Sequence, residues 1–252
     1  MRAEWKGRLR LCDAEGMMES SPNSQAEGRL LLLGVDTCGP AGSVALGRVS
    51  GSGVEILGQT ELAGRNYSAT LVAAVGELLA QAGAQVKGLA GMVVVNGPGS
   101  FTGVRVGLSA VKGLAEGARI PVVSVSRLEI LAAKAGVVSA ALDAHRQEVY
   151  LRLGGPGRET RELLAGAAEL AELAAAGGAV AVCDEAAELL LKSAWPGAEL
   201  VRADAPTAAD ALKLCAARVA AGDFADLELL DGHYLRRSDA EIFGDPAGTG
   251  RA

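Results

Sequence analysis

Leu30-Leu31-Leu32-Leu33-Gly34-Val35-Asp36-Thr37-Cys38-Gly39-Pro40-Ala41-Gly42 opens the patterned part of the chain, and Val137-Val138-Ser139-Ala140-Ala141-Leu142-Asp143 opens it a second time. Each is a continuous apolar run closed by an acid, which suits a buried strand. After the first run, Thr37 to Gly42 carries turn chemistry. Ser43 to Val49 and Val54 to Leu62 then read as the second and third strands of a meander with Gly-rich turns. Helical spacing from Ser68 to Ala82 stops at Gly83. A buried strand at Leu89–Asn96, a loop at Gly97–Ser100 and a helix at Phe101–Ala118 follow, then a strand at Pro121–Val125. A helix at Ser126–Ala135, with Ser126 as its N-cap, closes the half. The second half repeats the order. Strands at Glu148–Leu153 and Arg158–Leu163 precede a helix at 166–176. A strand at Ala179–Cys183, a helix at 185–192, a short strand at 198–202 and a helix at 207–221 complete it. Both halves read as a β-β-β-α-β-α unit followed by one more strand and helix, with an Asp ending the first strand of each. The fold class is α/β, and self-similarity on this scale points to duplication.

A duplicated unit of this order resembles the actin, sugar kinase and Hsp70 (ASKHA) superfamily. There the Asp-bearing hairpin of each half faces a nucleotide in a cleft, which bears on fold rather than function. The expected organisation is a subdomain at 29–136, a second at 137–237 and a mostly disordered tail at 238–252. Residues 1–28 read as a disordered extension or the product of an upstream start codon. They carry charges throughout and lack the apolar centre of a signal peptide. No run of about 18 apolar residues indicates a membrane helix, so a cytoplasmic location is expected.

The chain of 252 residues is half hydrophobic, enough for a real core, and its net charge is −6. An acidic chain without a basic run is a poor stand-alone ligand for nucleic acid. Cys12, Cys38, Cys183 and Cys215 are scattered, which favours a reducing compartment. His145 and His233 lie far apart, and no spacing suggests a zinc site.

Two places are candidates for chemistry. Asp36, with Thr37 beside it, reads either as a retained phosphate and metal site or as a strand-end acid capping its own turn. The turn carries neither Lys nor Arg. Asp143 is followed by Arg146, which could meet an anion or sit at a solvated hairpin tip. Gly97, Gly99, Ser100 and Thr102 lie where a strand gives way to a helix. A Gly-rich loop there is a natural anion cradle, although a tight turn capped by Ser100 or Thr102 is the commoner explanation. It is not a Walker A loop, because no Gly-Lys-Ser/Thr follows.

As a pattern, the segment Gly97-Pro98-Gly99-Ser100-Phe101-Thr102-Gly103-Val104-Arg105 is more specific. Continued through Lys112-Gly113-Leu114-Ala115 and Pro121, it resembles the signature of the TsaB (YeaZ) family. Val35-Asp36-Thr37 with Ser43-Val44-Ala45-Leu46 is similar to that family's opening hairpin. Asp143-Ala144 with Glu148-Val149-Tyr150 is similar to its second hairpin, and Tyr234-Leu235-Arg236 to its ending. The resemblance spans roughly 29–237. It implies a non-catalytic scaffold that heterodimerises with TsaD for threonylcarbamoyl modification of the adenosine beside the tRNA anticodon. An ATPase subunit, TsaE, would join the pair, and tRNA would be met only through the complex. ATP and a metal ion would belong to partner subunits, with no cofactor in this one. TsaD is expected to carry an HxxxH metal pair, which would fall within Arg65–Leu71, where no histidine stands. The alternative is an ASKHA-fold kinase or hydrolase with its own cleft activity.

The two helices before and after the central strand each carry two apolar faces. On the first, Leu71, Val75, Leu78 and Ala82 form the large side and Ala69, Ala73, Gly76 and Ala80 a small one. On the second, Val104, Leu108, Val111 and Ala115 form the large side and Gly103, Gly107, Ala110 and Gly117 the small one. A surface helix needs one buried stripe, and each Gly costs about 1 kcal/mol of helix stability relative to Ala. Either the two small faces pack on each other within the chain, or both meet a partner. The resemblance favours a partner, with self-association when the chain is alone.

Overall fold

The computed structural model describes residues 30–50, 53–63, 67–155, 158–173 and 178–236. The expected extension at 1–28 and tail at 238–252 fall outside them. Strands β1 (Leu31–Asp36), β2 (Ala41–Ser50) and β3 (Gly53–Ala63) form the meander, followed by α1 (Tyr67–Gln81) and a single 3₁₀ turn at Val86–Gly88. Then come β4 (Leu89–Val95), α2 (Phe101–Ala118), β5 (Val122–Val125) and α3 (Arg127–Lys134). The second half runs β6 (Ser139–Asp143), β7 (Glu148–Gly155), β8 (Arg158–Gly166), α4 (Ala167–Glu172), β9 (Val180–Val182), α5 (Glu185–Ala194), β10 (Leu200–Arg202) and α6 (Ala208–Ala220).

Two mixed five-stranded sheets result, in the orders β3-β2-β1-β4-β5 and β8-β7-β6-β9-β10. The senses match too. The first strand of each half pairs antiparallel with the second and parallel with the fourth. β4 is buried at nearly every position, because helices cover both faces of a central strand and leave no side for polar residues.

The layering departs from chain order. In β2, Gly42 faces Tyr67 of α1, and the next residue, Ser43, accepts the Ala208 N–H of α6 at 2.8 Å. Neighbouring residues on a strand point to opposite faces. So α1 with α2 covers one face of the first sheet, and α6, from the far end of the chain, covers the other. Gly34 and Gly47 leave the room for this: a Cβ on either would stand 2.9 Å and 3.3 Å from Leu212 side-chain atoms. Conversely, α3 packs on the second sheet through Leu128, Leu131 and Ala132. The two exchanged helices meet in the middle, where Lys134 Nζ pairs with Asp210 Oδ2 at 2.8 Å. The chain boundary near 136 therefore separates the sheets but not the cores.

One helix is shorter than its sequence suggests. The expected span 166–176 ends at Glu172, because Leu173 turns to extended backbone. Its carbonyl and that of Leu170 both accept the buried Trp195 indole N–H, at 3.0 and 2.8 Å.

Candidate functional site

A groove runs along the outer face of the first half between α1 and α2. Tyr67, Ser68, Leu71 and Val72 line one wall, and Thr102, Arg105, Val106, Ser109 and Ala110 the other. Val72 is 60 % exposed and stands among the exposed small residues of α1. Arg105 lies over the Phe101 ring at 5.4 Å and close to Tyr234 at 5.7 Å. Those two rings are stacked with centroids 4.8 Å apart. The C-terminal segment thus reaches the mouth of the groove.

The expected small stripe on α1 faces outward: Ala69, Ala73, Gly76 and Ala80 are all exposed, and a Cβ on Gly76 would meet nothing within 4 Å. Ala82, assigned to the buried side, is exposed as well. On α2 the stripe divides. Gly117 is exposed and Ala110 lines the groove. Gly103 and Gly107 do not face a partner. Both are buried, and a Cβ on them would stand 2.0 Å from the Thr37 carbonyl oxygen and 2.3 Å from Thr37 Oγ1. They exist to let α2 lie against the β1–β2 turn. The outward row of α2 is one residue round: Thr102, Val106, Ser109 and Gly113. Thr102 belongs to this row rather than to a cap, since Ser100 Oγ takes the Gly103 N–H at 3.2 Å.

The candidate anion site is occupied by the protein itself. Asp36 and Thr37 are both 1 % exposed. Asp36 Oδ1 accepts the Cys38 N–H at 2.8 Å, an Asx-type turn. Its Oδ2 faces Arg127 Nε at 3.5 Å, and neither of these atoms has a hydrogen-bond partner among the described residues. Burial works against the charge of Arg127, but Asp36, with smaller contributions from Cys38 and Cys183, more than offsets it and holds the guanidinium protonated beyond its ordinary range. Thr37 Oγ1 donates to Gly103 O at 2.7 Å, and Ser100 N–H donates to Cys38 O at 2.8 Å. A Cβ on Gly99 would stand 2.1 Å from Cys38 O, and Gly97, at φ 123°, lies under His233 O. The Gly-rich loop is therefore pressed between the first turn and the C-terminal segment. Burial and then Asp36 push the Cys38 thiol well above 9.0 and the Tyr67 phenol up to about 12.

Asp143 caps its own hairpin, accepting the His145 N–H at 2.8 Å and pairing with His145 Nδ1 at 2.9 Å. Arg236 ties the end of the described chain to that hairpin through Ala144 O at 2.6 Å and Glu148 Oε2. One polar cluster was not legible as a motif. Glu162 accepts from Ser126 Oγ at 2.6 Å, Arg152 at 2.7 Å and His233 at 2.9 Å. The carboxylate lies between serine and imidazole, so Ser126 donates to Glu162 and His233 meets the same carboxylate. Among the described residues, no three His, Cys, Asp or Glu side chains group to hold a metal ion, and no helix is long and apolar enough to cross a membrane.

The family model described as "TsaD: tRNA N6-adenosine threonylcarbamoyltransferase" matches residues 57–186, more than half of the chain. The Haemophilus influenzae protein named "tRNA threonylcarbamoyladenosine biosynthesis protein TsaB" is 39 % identical over 127 residues, which are 48 % of this chain and 52 % of that one. The chain belongs to the TsaB/YeaZ family. The Bacillus subtilis protein of the same name is 41 % identical over 93 residues, 35 % of this chain and 41 % of the relative. These matches span about half the length of the curated relatives or less. The solved structure described as "YeaZ from Pseudomonas aeruginosa" is 28 % identical with a TM-score of 0.64, covering 82 % of this chain and all of that one.

Proposed function

We propose that this chain is the non-catalytic scaffold of a tRNA threonylcarbamoyladenosine-forming complex, working in the cytoplasm. It docks a catalytic TsaD-type subunit on the α1–α2 groove, and a TsaE-type ATPase joins the pair. The observation that carries this reading is the outward face of α1. It sets Ala69, Val72, Ala73, Gly76 and Ala80 in water with small or apolar side chains. Such a face admits a second helix at close range. Similarity to a family model named for the transferase supports a subunit of that type, built on a related fold, as the partner that supplies it. A non-catalytic role is supported by the filled turn: Arg127 and Cys38 take up the space around the buried Asp36 that a phosphate or metal ion would need. The matching strand orders of the two sheets support a duplicated ASKHA-like origin. Metal and ATP belong, in this reading, to the partners.

Ala73→Glu places a carboxylate in the middle of the docking face while adding nothing to the core. Co-purification with the transferase should be lost, and reconstituted tRNA modification should fall with it, at an unchanged melting temperature for the isolated chain. Modification that proceeds equally well without this chain refutes the scaffold role.

A further inference from the structure

The groove is shaped by a turn that lies behind it. Both of its helices are tied at their first turns to the β1–β2 turn. On α2, Thr37 donates to Gly103 O at 2.7 Å and fills the hollow over Gly103 and Gly107, and Cys38 O holds the Ser100 N–H at 2.8 Å. On α1, the Tyr67 hydroxyl donates to Gly39 O at 2.8 Å, its ring lies against Gly42, and Tyr67 itself lines the groove. A displacement of the turn therefore moves both walls.

What holds the turn is a buried charge. Arg127 is 6 % exposed and starts α3, the helix that packs on the second sheet. Its backbone N–H donates to Gly97 O at 2.6 Å, fixing it to the loop before α2. Its guanidinium lies so close to Gly39 that a Cβ there would stand 2.4 Å from Nη2. Asp36 is its counter-charge at 3.5 Å. In a buried setting such a pair acts over short range with little screening, and removing one member leaves the other uncompensated.

We propose that Arg127 and Asp36 are positioning residues for the docking face: their pairing fixes the β1–β2 turn and, through Thr37 and Gly39, the spacing of α1 and α2. This rests on the groove being the partner face. Four full-length variants test it: Arg127→Met, Asp36→Asn, the double variant, and Arg127→Lys. Amide exchange of the isolated chain is followed at 67–72 and 101–107, with α5 (185–194), which packs on the second sheet, as reference. Affinity for the transferase subunit is measured in parallel.

In Arg127→Met and Asp36→Asn, exchange at both helix starts should rise at least tenfold over the reference, and affinity should fall at least tenfold. The double variant has no unpaired charge, so its melting temperature should return towards that of the parent while the groove stays loose and binding stays weak. Arg127→Lys restores the charge and should recover part of the affinity. The double variant keeps the test alive if a single one fails to fold. Parental exchange and parental affinity in the double variant would overturn the proposal. If Ala73→Glu also binds like the parent, the groove is not the partner face, and the exchange data alone then decide whether the pair positions the helices.

Discussion

Gly103→Ala and Gly113→Ala make the same chemical change in the same helix and should move stability in opposite directions. At Gly113 a Cβ meets nothing within 4 Å. Only helix propensity changes, a gain of about 1 kcal/mol at a mid-helix position. At Gly103 the same gain is available, but the new Cβ would stand 2.0 Å from the Thr37 carbonyl oxygen and 3.1 Å from its carbon. Backbone cannot swing aside as a side chain can, so α2 must retreat from the turn. Overpacking of this kind costs about 1–3 kcal/mol. The retreat also stretches the Thr37–Gly103 hydrogen bond, whose loss adds about 1 kcal/mol. The net effect is a destabilisation of about 1–3 kcal/mol, against a stabilisation of about 1 kcal/mol at Gly113. Urea unfolding of the isolated chain resolves such a gap through the midpoint at constant slope. Equal stability of the two variants would show that α2 does not rest on the β1–β2 turn, and the account of both the groove and the buried pair would go with it.

Glu162 gives a pH-dependent test. Burial pushes its pKa up, but hydrogen bonds from His233, Ser126 and Arg152 outweigh this and hold it below the ordinary 4.5. Its contribution to stability is therefore present above 4.5 and is lost as the pH falls through the lowered value. Glu162→Gln should be less stable than the parent at about pH 7, with the difference narrowing as the pH is taken below 4.5; a difference that stays constant as the pH falls refutes the assignment. For the thiols, burial raises Cys38 well above 9.0 and Cys215 to about 11. Neither should be alkylated by iodoacetamide at neutral pH until the chain unfolds, as read by peptide mass spectrometry; rapid native labelling of Cys38 would mean that the first turn opens.

The strands and their order were legible because each half begins with an apolar run ending in Asp. The Gly-rich turns that follow leave few alternatives to a meander. The groove was half legible. Alanine and glycine at helical spacing on α1 do face outward. On α2 periodicity alone could not tell an inward glycine from an outward one, because Gly103 and Gly113 differ only in what stands opposite them. What stands opposite Gly103 is Thr37, 66 positions away. Asp36 raised the right question, metal site or self-capped turn, but its partner was invisible. An arginine at the first position of an expected helix carries no mark of burial. The Ser126, Glu162 and His233 cluster is assembled from three separate segments, and no local spacing announces it.

The exchange of α3 and α6 between the sheets has a consequence for how the chain is made. As synthesis proceeds from the N-terminus, the first sheet can be completed once β5 has emerged. Its inner face, however, waits for Leu212, Cys215 and Val219 of α6. Roughly a third of the chain must therefore appear while a bare apolar surface is held open, the state in which nascent proteins are most prone to aggregate. Cutting the gene near codon 136 would make that exposure permanent in both products, so neither piece should be soluble alone. Co-expressed, each piece carries the helix the other lacks, and the two should recover each other.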